Sequence, residues 1–165
     1  GDDGDGDGDG DGDGEAASSF GLKVGDRVAY TAFVGSYARY SLVPLSQLVR
    51  IPDAVTTQDA VACMTQGLTA HYLTTDAHAD LLKAGDWCLI YAVGSGTCRW
   101  AAQMAKLRGY RVIGTASRGK AVEATGDGAC DELIILDEAA GGKSHADYSS
   151  IDVVHRVMEI TGGEG

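Results

Sequence analysis

Proline is almost missing from this 165-residue chain, which has only Pro44 and Pro52, together with just two phenylalanines and two tryptophans. That scarcity excludes a Pro-rich spacer or polyproline ligand. No stretch approaches the roughly 18–20 apolar residues of a membrane-spanning helix, and the N-terminus lacks the basic start and apolar run of a signal peptide. The four cysteines, Cys63, Cys88, Cys98 and Cys130, are scattered, with no Cys-x-x-Cys and no neighbouring His pair. Disulfide and zinc use are therefore disfavoured, and the expectation is a soluble, cytoplasmic protein with reduced, mostly buried thiols, no metal and no membrane partner.

Positive charge is also scarce, with 13 Lys and Arg against 24 Asp and Glu for a formal net charge of −11. Eight of those acids sit at or before Glu15, which leaves −3 for the rest of the chain. No broad basic footprint remains to hold nucleic acid. The acids come from an alternating Asp/Gly tract, Gly1 to Gly14, followed by Ser/Ala-rich residues to Ser19. A calcium loop started at Asp5 or Asp7 would end on Ala16 or Ser18 in place of the bidentate Glu, and no amphipathic helix flanks it. Residues 1–19 are expected to be a disordered acidic tail.

Beyond the tail, Lys23-Val24-Gly25-Asp26 reads as a turn, and Arg27 to Phe33 has the β-branched and aromatic content of a strand. Gly35-Ser36 turns the chain into a second strand-like run, Tyr37 to Val43, so a hairpin or meander is predicted here. Thr56-Thr57-Gln58-Asp59 has the spacing of a helix start. From Thr65 a helical stretch places Leu68, His71, Tyr72 and Thr75 on one predicted face.

The pattern then changes to apolar runs alternating with helices. Ala84-Gly85-Asp86 is a turn, Trp87 to Ala92 a strand, Gly94-Ser95-Gly96 a tight loop, and Thr97 to Leu107 a helix ended by Gly109. Tyr110 to Thr115 and Leu133 to Leu136 read as further strands, with a short helix Gly119 to Thr125 between them. A polar loop, Asp137 to Ser150, precedes a last helix, Ile151 to Ile160, with Val153, Val154, Val157 and Ile160 predicted to face the sheet. Unbroken apolar strands separated by helices indicate a parallel sheet buried on both faces, here the first half of a doubly wound sheet.

A strand, a glycine loop and a helix in succession offer backbone N–H groups and a positive dipole end to an anion. The full dinucleotide fingerprint would need a glycine where Arg99 stands, so Gly94 and Gly96 make only a partial match. The end of the second strand is more informative. NAD-specific sites place a carboxylate there for the ribose hydroxyls, whereas this chain reads Thr115-Ala116-Ser117-Arg118-Gly119-Lys120. Two cations and two hydroxyls suit a 2′-phosphate, which favours NADP(H) over NAD(H).

Several segments carry a family resemblance: Lys23-Val24-Gly25-Asp26-Arg27-Val28-Ala29-Tyr30, Gly35-Ser36-Tyr37-Ala38, Gln66-Gly67-Leu68-Thr69-Ala70-His71-Tyr72-Leu73, Ala105-Lys106, Val112-Ile113-Gly114-Thr115 and Ile160-Thr161-Gly162-Gly163. Together they resemble the zinc-independent quinone oxidoreductases, the zeta-crystallin-like branch of the medium-chain dehydrogenase/reductase superfamily. The resemblance implies a fold in which residues 20–62 are the C-terminal part of a β-rich GroES-like domain and residues 63–165 the first half of an NADP-binding Rossmann domain. It implies metal-free hydride transfer from NADPH to a small-molecule quinone or enone-type acceptor, and homo-oligomers among the full-length relatives. Members are about twice this long, so the chain is expected to be incomplete and impaired in activity.

Residue by residue, the resemblance places Thr69 near the nicotinamide, Ser117 against the adenosine phosphate and Lys120 on the phosphate. Gly94, Ser95, Gly96, Thr97 and Arg118 complete the expected cofactor-binding set. Ser95 and Cys98 stand where the family usually has glycines, and Leu136 where many members have a tyrosine near the adenine. His71, Tyr72 and Tyr91 are expected to be packing residues, and no catalytic residue is assigned. Two other readings share the same residues: a non-catalytic NADPH-binding regulatory or structural protein, and an enoyl or alkenal reductase.

Overall fold

A computed structural model describes residues 20–31, 34–78, 80–141 and 148–164, and they divide into two units between Met64 and Thr65. The acidic tail expected over residues 1–19 lies outside the described residues. The division falls two residues beyond the domain boundary expected from sequence.

In the first unit, β1 (Val28–Ala29) pairs antiparallel with β2 (Val49–Arg50), Val28 opposite Arg50 and Ala29 opposite Val49. The predicted partner, Tyr37 to Val43, is not a strand. Its Tyr37, Tyr40 and Leu42 are exposed, so that run gains nothing from burial, while the stretch between the two prolines closes the ladder instead, with Ile51 buried and its N–H bonded to the Arg27 carbonyl at 2.8 Å. Helix α1 (Thr57–Ala62) begins as the sequence indicates: the Thr56 hydroxyl accepts the Asp59 N–H at 3.1 Å and donates to the Asp59 carboxylate at 2.6 Å. Arg27 ties the end of the first strand to this helix by donating to the Val55 carbonyl (2.9 Å) and the Thr57 hydroxyl (3.1 Å).

A π-helical turn, Cys63–Gly67, leads into α2 (Leu68–Thr74). This helix turns the opposite face inward from the one predicted. Ala70 is fully buried, while Leu68 and Tyr72 are more than half exposed and His71 is exposed. Helix α2 packs on α3 (Gly96–Leu107), whose own buried residues are Ala101, Ala102 and Ala105. Small side chains allow the two backbones to approach closely, and that approach decides which face is covered.

Strands β3 (Trp87–Ile90), β4 (Arg111–Ala116) and β5 (Glu132–Ile135) form an all-parallel sheet in that order, with β4 in the middle. Between β4 and β5 lies α4 (Ala121–Thr125), preceded by a 3-10 turn over Arg118–Lys120. Val112 and Ile113 of β4 are fully buried, and the core gathers Val93, Ala102, Ala105, Val112, Ala116, Ala124 and Ala129. This is a Rossmann-like α/β arrangement with short side chains between the layers. After β5 the chain enters a short helical turn, α5 (Leu136–Ala139), where a plain loop was predicted.

Helix α6 (Val153–Thr161) is capped by Asp152, which accepts the His155 N–H at 2.9 Å, and ends on left-handed Gly162. Val153, Val157 and Ile160 are half-buried, but Val154 is exposed, against expectation. Spacings of four and three keep the first three on one stripe, whereas Val154 is turned about 100° away from Val153.

The two strand-entry turns share one design. Lys23 N–H donates to the Asp26 carboxylate at 3.0 Å and Lys83 N–H to Asp86 at 2.8 Å, each around a glycine of positive φ, Gly25 at 94° and Gly85 at 96°. The four cysteines are free and partly exposed, and burial raises the thiol pKa of Cys88 and Cys130.

Asp131 anchors β5 to β4. Its carboxylate accepts the Val112 N–H at 2.7 Å and pairs with Lys106. Desolvation opposes its charge, but the Lys106 and Val112 hydrogen bonds outweigh it and hold the pKa below the usual carboxylate value. A lowered native pKa stabilises the fold fully above the unfolded value near 3.8, and that contribution is lost as pH falls through the native value. Asp131→Asn should therefore lower the urea midpoint at pH 7, and the gap to the unsubstituted chain should close as pH drops below about 4.

Candidate functional site

The loop from β3 to α3 is built on the middle strand. Ala92 N–H donates to the Thr115 hydroxyl at 3.1 Å and Val93 N–H to the Thr115 carbonyl at 2.9 Å, while Ser95 N–H turns back to the Ala92 carbonyl at 2.8 Å. Thr115 is wholly buried, so its hydroxyl needs a partner inside the protein and finds one in this loop. The loop holds Ala92 at φ 51°, the left-handed region that costs an L-residue roughly 1–2 kcal/mol.

Past this bend Gly94 meets the next connection. A Cβ there would lie 2.9 Å from the Lys120 carbonyl oxygen, so only glycine lets the two backbones come so close. Ser95 then takes the N-cap position of α3 with extended backbone, yet its hydroxyl caps nothing. The first N–H groups of a helix have no acceptors within the helix. Together with the dipole they make the first turn of α3 a fit for a pyrophosphate.

At the carboxyl ends of the strands lies a cavity of about 260 Å³. Ala92, Gly94 and Ser95 form one wall, and Ala116, Ser117, Lys120, Leu136 and Tyr148 the rest, with an almost wholly apolar surface. Drug-sized ligands occupy roughly 300–1,000 Å³, so this cavity takes one end of a dinucleotide. A larger hollow of about 450 Å³ near Ile134, Ile151 and His155 contains none of the residues expected from sequence.

Four of the expected residues thus meet: Gly94, Ser95, Ser117 and Lys120. The others do not line the cavity. Gly96 and Thr97 belong to the first turn of α3, and Gly96 borders a separate hollow with Arg99 and Trp100. Thr69 lies on α2 with its hydroxyl donating to the Thr65 carbonyl at 2.7 Å. The Arg118 side chain points to Glu138, 3.5 Å away, and Lys120 pairs with Glu123 at 3.4 Å. Hydrogen bonding to its own backbone and then the nearby Lys120 charge lower the Glu123 pKa. All four side chains are well exposed, so both pairs are weak and open to exchange for a phosphate.

Sequence reasoning missed Asp137 and Tyr148, and it counted Thr115 among the hydroxyls for a 2′-phosphate, whereas Thr115 is wholly buried and its hydroxyl is taken by the Ala92 N–H. Asp137 is only 3% exposed. It accepts the Arg118 N–H at 2.5 Å and the Tyr148 hydroxyl at 3.1 Å. Burial, then the Asp137 hydrogen bond and charge, raise the Tyr148 pKa above the usual phenol value. A carboxylate therefore does stand beside the end of β4, brought from the end of β5, but it is occupied by a peptide N–H and a phenol. Among the described residues, no Asp or Glu lines the cavity itself. The signal for Thr115 was available, since a hydroxyl inside an apolar strand needs a partner; nothing local marks the other two. Among the described residues, no group of three His, Cys, Asp or Glu side chains is placed to hold a metal ion, and no helix is long and apolar enough to cross a membrane.

Ala92→Gly should stabilise the chain by about 0.5–1 kcal/mol in urea denaturation, as relief of the left-handed strain exceeds the entropy that glycine loses. Gly94→Ala should do the reverse, since the added carbon meets backbone, and should weaken nucleotide binding measured by equilibrium dialysis by tenfold or more, roughly the consequence of a 1.4 kcal/mol misfit.

No protein-family model matches the chain. It is 34% identical over 143 residues to a quinone oxidoreductase of Pseudomonas aeruginosa, covering 86% of this chain and 40% of that protein. It is 31% identical to a 2-haloacrylate reductase of Burkholderia, covering 86% of this chain and 39% of that one. In three dimensions it matches the Escherichia coli quinone oxidoreductase solved in complex with NADPH, with a TM-score of 0.71, 29% identity, and coverage of 87% of this chain and 40% of that chain. The chain spans about 40% of the length of these relatives. Over that span, in sequence and in fold, it is similar to the quinone oxidoreductases.

Proposed function

We propose that this chain carries the adenosine-phosphate end of an NADPH site in an oxidoreductase that reduces quinones or other electron-poor double bonds of the enone type. One observation carries the reading: the cavity at the strand ends brings Ser117 and Lys120 together with the glycine loop, and among the described residues no carboxylate lines it to meet a ribose. A 2′-phosphate would be welcome there and a bare 2′-hydroxyl would lack its usual acceptor. The NADPH-bound quinone oxidoreductase of the same fold supports the cofactor, and the 2-haloacrylate reductase supports an acceptor whose double bond is conjugated to an electron-withdrawing group.

When bound, NADPH supplies the hydride. The chain's own residues have separate tasks. Gly94 and Ser95, with the N–H groups of Gly96 and Thr97, hold the pyrophosphate. Ser117 donates a hydrogen bond to the 2′-phosphate, Lys120 supplies charge, and Arg118 joins them by leaving Glu138. Thr69 serves the nicotinamide side: its hydroxyl proton is committed to Thr65, so the oxygen is left as an acceptor. The small residues of the cavity exclude water around the base.

Titration followed by nicotinamide fluorescence should show tighter binding of NADPH than of NADH. Lys120→Ala should weaken NADPH by about tenfold and leave NADH within about twofold, as expected for loss of one charge-assisted contact to the phosphate. Tighter NADH binding would defeat the phosphate assignment. Turnover on a panel of quinones and α,β-unsaturated carbonyl compounds tests the acceptor, and NADPH binding without turnover on any of them would favour the non-catalytic alternative.

A further inference from the structure

Tyr148 is reached from a part of the sequence that offers no hint of a role in the cavity, yet it forms part of the wall beside Leu136. Its hydroxyl is already committed, donating to Asp137 at 3.1 Å. What Tyr148 offers a ligand is the flat ring, in a cavity whose other walls are Ala92, Ala116 and Leu136 together with Gly94, Ser95, Ser117 and Lys120 and whose surface is almost wholly apolar. A narrow apolar space with one aromatic wall selects a planar heterocycle, because stacking rewards a π-face and an aliphatic wall does not compete with it.

The second half of the argument is Asp137. A carboxylate that is 3% exposed persists only when its oxygens are used, and here one takes the Tyr148 hydroxyl and the other the Arg118 N–H, 2.5 Å away. The same buried group thus fixes both the Tyr148 ring in the cavity wall and the Ser117–Arg118 peptide. Holding a contact surface through a locked, buried polar neighbour is how rigid sites are built.

We infer that Tyr148 is the stacking platform for the purine base of a 2′-phosphorylated adenine nucleotide, and that Asp137 is a positioning residue that sets both this ring and the peptide beside the phosphate. The inference rests on the NADPH reading and assigns its base and its phosphate register to residues outside the glycine loop. The two roles separate experimentally: the ring acts on the base of any adenine ligand, whereas the Arg118 peptide bears on the 2′-phosphate alone.

Binding of NADP⁺, adenosine 2′-monophosphate, adenosine 5′-monophosphate and nicotinamide mononucleotide to the full chain, measured by calorimetry, tests this. Tyr148→Ala is expected to weaken the three adenine ligands by about tenfold or more and to leave nicotinamide mononucleotide unchanged. Tyr148→Phe, which keeps the ring but loses the hydroxyl through which Asp137 sets it, should weaken the adenine ligands clearly less than Tyr148→Ala does. Asp137→Asn should reduce the preference for adenosine 2′-monophosphate over adenosine 5′-monophosphate, a ratio that a general loosening of the fold would not change. Equal weakening by Tyr148→Phe and Tyr148→Ala overturns the stacking role, and an unchanged ratio in Asp137→Asn overturns the positioning role. Undiminished NADP⁺ binding by Tyr148→Ala, alongside a loss in Lys120→Ala, removes Tyr148 from the site and leaves the NADPH reading standing. Failure of the unsubstituted chain to bind any adenine ligand overturns that reading and this inference together.

Discussion

Thr115 is the residue through which the second unit turns a sheet into a site. It lies in the middle strand, wholly buried, and both its hydroxyl and its carbonyl receive N–H groups from the loop that follows β3. A buried hydroxyl without a partner would be costly, so the loop is drawn down onto β4. That attachment accounts for the left-handed Ala92, directs Gly94 toward the Lys120 backbone and starts α3 at the edge of the cavity. Strain at one residue is stored in a conformation that the surrounding hydrogen bonds enforce.

Charge in this region is arranged in two layers. On the outside, Arg118 and Lys120 face Glu138 and Glu123 across exposed, weak pairs. Beneath them, Asp137 is sequestered and hydrogen-bonded. Solvent screens the outer pairs, so their partners exchange readily, whereas the inner carboxylate is rigid because leaving it unsatisfied in a low dielectric is expensive. An anionic ligand can displace the outer acids without disturbing the inner one.

Much of the architecture was legible. The apolar runs at Trp87, Val112 and Ile134 are short and unbroken, although only the middle strand is buried through and the outer two are partly exposed, and the two Lys-x-Gly-Asp turns announce the strands they precede. The Thr56 cap was equally plain, since a hydroxyl three residues before a carboxylate has one local use. The errors share a cause. Tyr37 to Val43 has strand composition but finds no ladder, Leu68 and Tyr72 fit a face that is left exposed, and Val154 lies beside the half-buried stripe of its helix rather than on it. Periodicity identifies a stripe, but whether the large or the small residues are buried depends on how closely the opposing helix approaches.

At the site the same division holds. The sequence by itself determined the alternation of strands and helices, the glycine loop, and a second strand that ends in Ser117, Arg118 and Lys120 with no acid, because each of these depends on contiguous residues and their backbone preferences. Only the tertiary structure decided that Thr115 holds the loop, that Asp137 reaches the Arg118 peptide, and that Tyr148 joins the cavity wall. Those contacts link residues 23, 19 and 11 positions apart, and a hydrogen bond across such a separation exists only after the parallel sheet has brought the strand ends side by side.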